Sequence, residues 1–223
     1  MNNLAKTVQE LNILAGGPVD QWPAGLFSKK GPWIGADRGA YYLLKKGITP
    51  ALVVGDFDSL SSEEFDFVQS KIQAAEIEQV PTRKDFTDTQ LALRHAVEMP
   101  VDLINVYGAT GGRIDHLLSN LWLPVEPDLQ ASAEKIRFID CQNVVSYLLP
   151  GHKTVRKLAG MKYLGFMALG LVENLDIPDA EYPLTSKVNW PKMWSSNEFV
   201  GELVHVSFSS GILMVTQSKD GGL

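Results

Sequence analysis

Through the first half of this chain, short apolar runs alternate with segments of helical period, and nearly every run ends at an aspartate, a glycine or a proline. The runs are residues 11–15, 33–35, 52–54, 77–80 and 103–106; the helical patterns are 40–46, 62–73, 87–97 and 116–121. Short strands alternating with helices build βαβ units, so an α/β domain with a mostly parallel, Rossmann-like sheet is expected. Ligands of such sheets lie beyond the carboxyl ends of the strands, which makes the loops after the apolar runs the places to look for chemistry.

The rhythm changes after Pro124. Residues 125–128 read as a turn or linker, and 135–139, 144–149, 162–168, 202–208 and 212–216 read as strands. Gly151, Gly160, Gly201 and residues 209–211 supply turns between them. With no helical pattern in this half, an antiparallel β domain is expected, dividing the chain into 1–127 and 128–223. Residues 220–223 are expected to be a frayed tail.

Composition narrows the partners. The 223 residues are 45% hydrophobic and 21% charged, enough apolar material for a core without metal or disulfide staples. Twenty basic residues against 26 acidic ones leave a net charge of −6, which disfavours nucleic acid as a partner. Cys141 is the single cysteine, so neither an intrachain disulfide nor a multi-cysteine zinc site can form. Residues 1–10 lack the apolar core of a signal peptide. The most apolar stretch, 163–172, is far shorter than the ~20 residues of a membrane span. A cytoplasmic protein with no membrane partner is expected.

Four loops carry the candidate chemistry. After the run at 52–54 comes Gly55–Asp56–Phe57–Asp58–Ser59. In extended chain, residues two apart lie on one side about 7 Å apart, so Asp56 and Asp58 converge while Phe57 turns inward. Converging carboxylates at a sheet edge suit Mg²⁺, which completes its shell with water and phosphate oxygens; the alternative is a solvated turn with Asp58 or Ser59 capping the next helix. Lys84–Asp85–Phe86–Thr87–Asp88 opens the following helical pattern. Asp85 and Asp88 are either helix-start residues or further metal ligands, with Thr87 and Lys84 free to touch phosphate.

The loop after 103–106 reads Gly108–Ala109–Thr110–Gly111–Gly112–Arg113–Ile114–Asp115–His116. Its glycines permit close approach of a ligand to the backbone, and a glycine-rich turn entering a helix cradles phosphate on its amides. Arg113 adds a planar donor fork. Asp115 either caps the helix or pairs with Arg113, and His116 either packs or serves as a base. Neither the dinucleotide fingerprint nor a Walker loop is present. Asp37, within Gly35–Ala36–Asp37–Arg38–Gly39, either caps a helix or contacts a nucleotide. Four such strand ends along one sheet edge read together as a Mg²⁺–nucleotide phosphate site.

The ordered set GADRGA (35–40), GDFDS (55–59), KDFTDTQLAL (84–93) and GATGGRIDHLLSNL (108–121), followed by YPL (182–184), SSNEF (195–199) and SGILMV (210–215), resembles the thiamine pyrophosphokinase family. The resemblance spans nearly the whole chain. It implies an N-terminal α/β domain carrying ATP, a C-terminal β-sandwich carrying thiamine, and a homodimer with active sites between subunits. The implied reaction is thiamine plus ATP giving thiamine diphosphate plus AMP. By motif, Asp56, Asp58 and Asp88 would hold Mg²⁺ with Asp85 nearby, and Arg113, Gly111 and Gly112 would meet the phosphates. Ser196 and Asn197 would bind the thiamine pyrimidine from the other subunit, and Tyr182 stands in the matching YPL segment. Trp194 either stacks on the thiamine rings or packs. Residues 179–181, Asp-Ala-Glu, depart from the family's usual turn.

The expected mechanism has the thiamine hydroxyl attacking the β-phosphorus, with Asp88 or Asp115 taking its proton. Transfer to another hydroxymethyl heterocycle such as a pterin, or a non-catalytic thiamine- or nucleotide-binding module, are the alternative readings.

Overall fold

The computed structural model describes residues 9–72, 77–79 and 86–221. The chain divides into two compact units, Met1–Asn120 and Leu121–Leu223. This break falls inside a helix.

Among its described residues unit 1 carries five strands, β1 (Glu10–Leu14), β2 (Trp33–Ala36), β3 (Leu52–Gly55), β4 (Ile77–Gln79) and β5 (Leu103–Tyr107). They are ordered β5-β1-β2-β3-β4 and every pairing is parallel. β1, β2 and β5 are buried almost throughout, which is why they read as continuous apolar runs rather than as alternation. Helices α1 (Arg38–Lys45), α2 (Ser62–Lys71), α3 (Asp88–Glu98) and α4 (Ile114–Trp122) follow β2, β3, β4 and β5 in turn. Ala40 of α1 and Val68 of α2 share an apolar cluster with Val53 of β3, Phe57 of the following loop and Ile72.

The helix starts differ from two of the sequence alternatives. Ser61, not Asp58 or Ser59, caps α2, its hydroxyl accepting from the Glu64 N–H while the Glu64 carboxylate accepts from the Ser61 N–H. Thr87, not Asp85, caps α3, accepting from the Gln90 N–H at 3.2 Å.

Unit 2 holds nine strands among its described residues. β6 (Ile136–Ile139), β7 (Asn143–Leu148), β9 (Tyr163–Ala168), β12 (Lys192–Glu198) and β14 (Leu213–Ser218) run in the order β12-β9-β14-β7-β6. β8 (Gly151–Arg156), β10 (Val172–Ile177), β11 (Leu184–Asn189) and β13 (Leu203–Phe208) form a second sheet, β11-β10-β13-β8. All the pairings within these two sets are antiparallel. Val155, Val172, Leu175 and Val206 of the second sheet share one apolar core with Leu164, Phe166, Leu213 and Val215 of the first.

Four of these strands, β8, β10, β11 and β12, are absent from the sequence reading, and Gly151, read there as a turn, opens β8. β8, β11 and β12 are edge strands with mostly exposed, polar side chains. Asn174, with φ at +54°, interrupts the alternation of β10. Among the described residues no helix is long and apolar enough to cross a membrane.

Candidate active site

Because the five strands of unit 1 are parallel, the loops after β1, β2, β3 and β5 emerge at one edge of the sheet. They enclose a cavity of about 550 Å³ lined by Gly16, Gly17, Asp37, Arg38, Ser59, Thr87, Asp88, Gly111, Gly112, Arg113, Asp115, His116 and Asn120, among others. Gly16 and Gly17 were missed in the sequence, although a glycine pair directly after a buried strand is the same signal that marked the loop at 108–113. Gly17 donates its N–H to the Gly108 carbonyl at 2.8 Å, and a Cβ on it would stand 2.3 Å from that oxygen. Only glycine permits this approach of the two loops.

Asp37 occupies the N-cap position of α1, but its side chain makes no capping bond. Its backbone lies at φ +50°, ψ −122°, a region costly for a non-glycine residue by about 1–3 kcal/mol. The neighbouring strand end holds it there: the Asp37 N–H donates to the Val54 carbonyl at 2.8 Å, and a Cβ on Gly55 would come within 3.1 Å of the Asp37 Cα. Ser59 Oγ donates to Asp37 Oδ2 at 2.6 Å. Asp37 Oδ1 is buried and has no hydrogen-bond partner. Burial pushes the Asp37 carboxyl above its ordinary range, against the bond from Ser59, and Asp88 and Asp56 add to the rise.

Carboxylate oxygens of Asp37, Asp56 and Asp58 lie within 4.8 Å of one another. Asp56 and Asp58 therefore converge as the sequence suggested, but not through extended chain. Phe57 between them is at φ +61°, with its ring buried against Phe65, and the Asp58 N–H donates to Asp56 Oδ1 at 3.1 Å. The residue that joins them is Asp37 rather than Asp88. Asp88 is the first residue of α3, lines the cavity and acts on Asp37 electrostatically, outside the three-carboxylate group.

Arg38 ties this corner together. Its guanidinium grips both oxygens of Glu64 at 2.8 Å and donates to the Ser59 carbonyl at 3.1 Å. Thus the residue that closes the α2 capping box also anchors the arginine behind Ser59.

Across the cavity, Gly111 and Gly112 take φ of +75° and +73°, and Asn120 donates to the Ala109 carbonyl at 2.8 Å, bracing the loop from α4. The alternatives left open for Asp115 resolve as an ion pair. Arg113 donates from Nε at 3.1 Å and from Nη2 at 2.6 Å to its two oxygens. Arg113 thereby holds the Asp115 carboxyl down to about 2. His116 is exposed on the same rim. Lys84 and Asp85 lie outside the described residues.

Unit 2 has a cavity of its own, about 520 Å³, lined by Tyr182, Leu184, Met193, Trp194, Ser195, Ser196 and Asn197. All four residues singled out in this half meet there. Trp194 lines the cavity and packs against the core. Ser196 sits at φ +59° in a bulge of β12. Asn197 is buried, and its amide is engaged with the chain: Oδ1 accepts from the N–H of Tyr182 and of Glu198, both at 2.9 Å, and Nδ2 donates to the Tyr182 carbonyl at 2.8 Å.

Comparison with known proteins gives this arrangement a context. Residues 24–137 match the catalytic domain of thiamin pyrophosphokinase, and residues 152–213 match its vitamin B1 binding domain. A thiamine pyrophosphokinase of Bacillus subtilis (strain 168) is 34% identical over 218 residues, covering 96% of this chain and all of the relative. The crystal structure of a thiamin pyrophosphokinase family protein from Enterococcus faecalis shares 42% identity with a TM-score of 0.88, covering 96% of this chain and all of that one. A crystal structure of a protein from Lactobacillus plantarum shares 44% identity at the same TM-score and coverage. Both family domains in order, and a relative 34% identical along its whole length, show that the chain belongs to the thiamine pyrophosphokinase family and is an enzyme making thiamine diphosphate.

Proposed function

We propose that the diphosphate comes from ATP bound in the unit 1 cavity and that the reaction releases AMP. The observation that carries this reading is the buried, unpartnered Oδ1 of Asp37 beside Asp56 and Asp58, at the edge of a glycine-walled cavity. A buried carboxylate oxygen without a donor fits a hard cation, and three carboxylates with room for water and phosphate oxygens fit Mg²⁺. Asp37, Asp56 and Asp58 would hold that ion, with Asp88 at the cavity wall; bound there, it would neutralise phosphate charge.

The chain's own groups do the rest. The loop amides at Gly111 and Gly112 and the guanidinium of Arg113 receive phosphate oxygens, Arg113 exchanging its Asp115 partner for them. Thr87 and His116 line the same cavity and are assigned to the nucleotide, as are Lys84 and Asp85 by the family motif. The thiamine hydroxyl oxygen forms a bond to the β-phosphorus, the bond from that phosphorus to the α-phosphate oxygen breaks, and AMP departs. We assign the hydroxyl proton to Asp88, which lines the cavity and faces Asp37 electrostatically.

Thiamine is assigned to the unit 2 cavity, where Tyr182 and Trp194 offer aromatic faces for a flat cationic ring and Ser196 a hydroxyl. The match of residues 152–213 to the vitamin B1 binding domain supports this. It also favours thiamine over a pterin, and the catalytic-domain match of residues 24–137 favours an enzyme over a module that only binds. A cytoplasmic homodimer, each subunit lending its unit 2 cavity to the partner's ATP site, completes the reading. Exposed Trp190, Val188 and Met193 offer apolar surface for a second copy.

Incubation with thiamine, ATP and Mg²⁺, followed by mass analysis, tests the reading: AMP together with thiamine diphosphate is expected. ADP with thiamine monophosphate would overturn the β-phosphorus attack. Asp56→Asn is expected to lower turnover by orders of magnitude with the fold intact, and Ser196→Ala to raise the KM for thiamine more than that for ATP.

A further inference from the structure

The geometry points to Asn197 as a positioning residue that acts on thiamine through Tyr182, whose peptide its amide holds at the cavity. The inference rests on the assignment of the unit 2 cavity to thiamine.

Asn197 is 3% exposed, and three of its amide's hydrogen bonds go to backbone, two of them to the single peptide residue Tyr182. This is the pattern of a strand partner, one N–H and one C=O satisfied together, but supplied by a side chain. It extends a seam of two backbone contacts: Ala180 bridges Phe199, and the Glu181 N–H donates to the Glu198 carbonyl at 3.0 Å. The segment before β11 is thus stitched to the end of β12, and the last stitch, nearest the cavity, is Asn197.

The bulge explains why this residue turns inward. From Trp194 to Asn197 β12 advances three residues while β9 moves only two, from Phe166 to Leu164. One extra residue is inserted, with Ser196 taking the left-handed conformation. In a regular strand residues 194 and 197 face opposite sides; the insertion brings both to the inner side, Trp194 against the core and Asn197 onto the Tyr182 peptide. The ring of Tyr182, by contrast, is 62% exposed and stands at the cavity with little of its own packing. A ring so placed keeps its position only as well as its backbone does, and Asn197 holds that backbone. Pro183 next in the chain restricts Tyr182 to extended conformations, so the two constraints act together.

The test is a double-mutant cycle on steady-state kinetics with Asn197→Asp, Tyr182→Ala and the pair. Asn197→Asp keeps the size and the acceptor but replaces the donor to the Tyr182 carbonyl. Each single variant is expected to raise the KM for thiamine about tenfold, with kcat and the KM for ATP within twofold. The pair is expected to be no worse than Tyr182→Ala, because the ring that Asn197 positions is gone. A pair whose effect equals the product of the singles, or an Asn197→Asp protein with an unchanged thiamine KM, overturns the inference. If Tyr182→Ala and Trp194→Ala both leave the thiamine KM unchanged, the assignment of the cavity fails instead. Hydrogen exchange of the unmutated protein gives a reading that needs no variant to fold. The Tyr182 amide is expected to exchange at least a hundredfold slower than an unstructured amide, and exchange at the unstructured rate overturns the clamp.

Discussion

Ser59 Oγ donates to Asp37 Oδ2 at 2.6 Å while the other oxygen of the same carboxylate, Oδ1, is buried without a partner. One hydrogen bond therefore decides which face of Asp37 is left for a ligand. Ser59 is itself held by Arg38, which is held by Glu64. Ser59→Ala removes a bond to a charged group, worth about 1.5–3 kcal/mol, and is expected to weaken divalent-ion binding by ten- to a hundredfold. Titration with Mn²⁺ followed by paramagnetic resonance reads this without turnover; an unchanged affinity would sink the role given to Ser59.

Asp37 is a half-buried carboxylate near two others, an arrangement that favours a ligand over the empty fold. Asp37→Asn keeps the shape and the acceptor for Ser59 but removes the charge. The metal-free protein is expected to melt at a higher temperature than the parent while losing most of its activity in Mg²⁺. Differential scanning calorimetry in EDTA, beside an activity assay, would show a drop in both quantities if the acid cluster were structural.

The pairing of Arg113 with Asp115 has a pH signature. Asp115 titrates at about 2 against its ordinary 3.8, so its folded-state value is lowered. Its contribution to stability is present above 3.8 and is lost as pH falls from there through about 2. In a ¹³C NMR titration the Asp115 carboxyl is expected at about 2, returning toward 3.8 in Arg113→Ala. The same substitution is expected to raise the KM for ATP at least tenfold, since the guanidinium is assigned to phosphate. A value of 3.8 in the parent protein would remove the ion pair from solution.

Gly17→Ala places a methyl group 2.3 Å from the Gly108 carbonyl oxygen, so one of the two cavity loops must move. Overpacking of this kind costs about 1–3 kcal/mol. A melting temperature lower by several degrees, with weaker ATP binding by calorimetry, is the expected outcome; a protein matching the parent in both would show that the loops part freely.

The sequence alone determined the architecture of unit 1, because its parallel strands are buried on both faces and must therefore be written as short continuous apolar runs. It also marked loops that meet at the unit 1 cavity, since glycine and acid follow directly after the apolar run at residues 55–59 and 108–113. Order across the whole chain was enough to mark the family. Polar edge strands such as β8, β11 and β12 carry no such signature: their side chains face water, and only pairing with a neighbour makes them strands.

Tertiary structure alone decided which acids meet. Asp37 and Asp56 are 19 positions apart, and they join because the ends of β2 and β3 are bonded side by side and Gly55 lets the Asp37 backbone come close. Asp88, equally acidic in sequence, opens α3 at the cavity wall and is not one of the three. The same holds for Asn197, whose residue type advertises a ligand while its burial turns the amide onto the Tyr182 peptide. Local composition states which groups are available, and only the packing of distant segments states which partner each group finds.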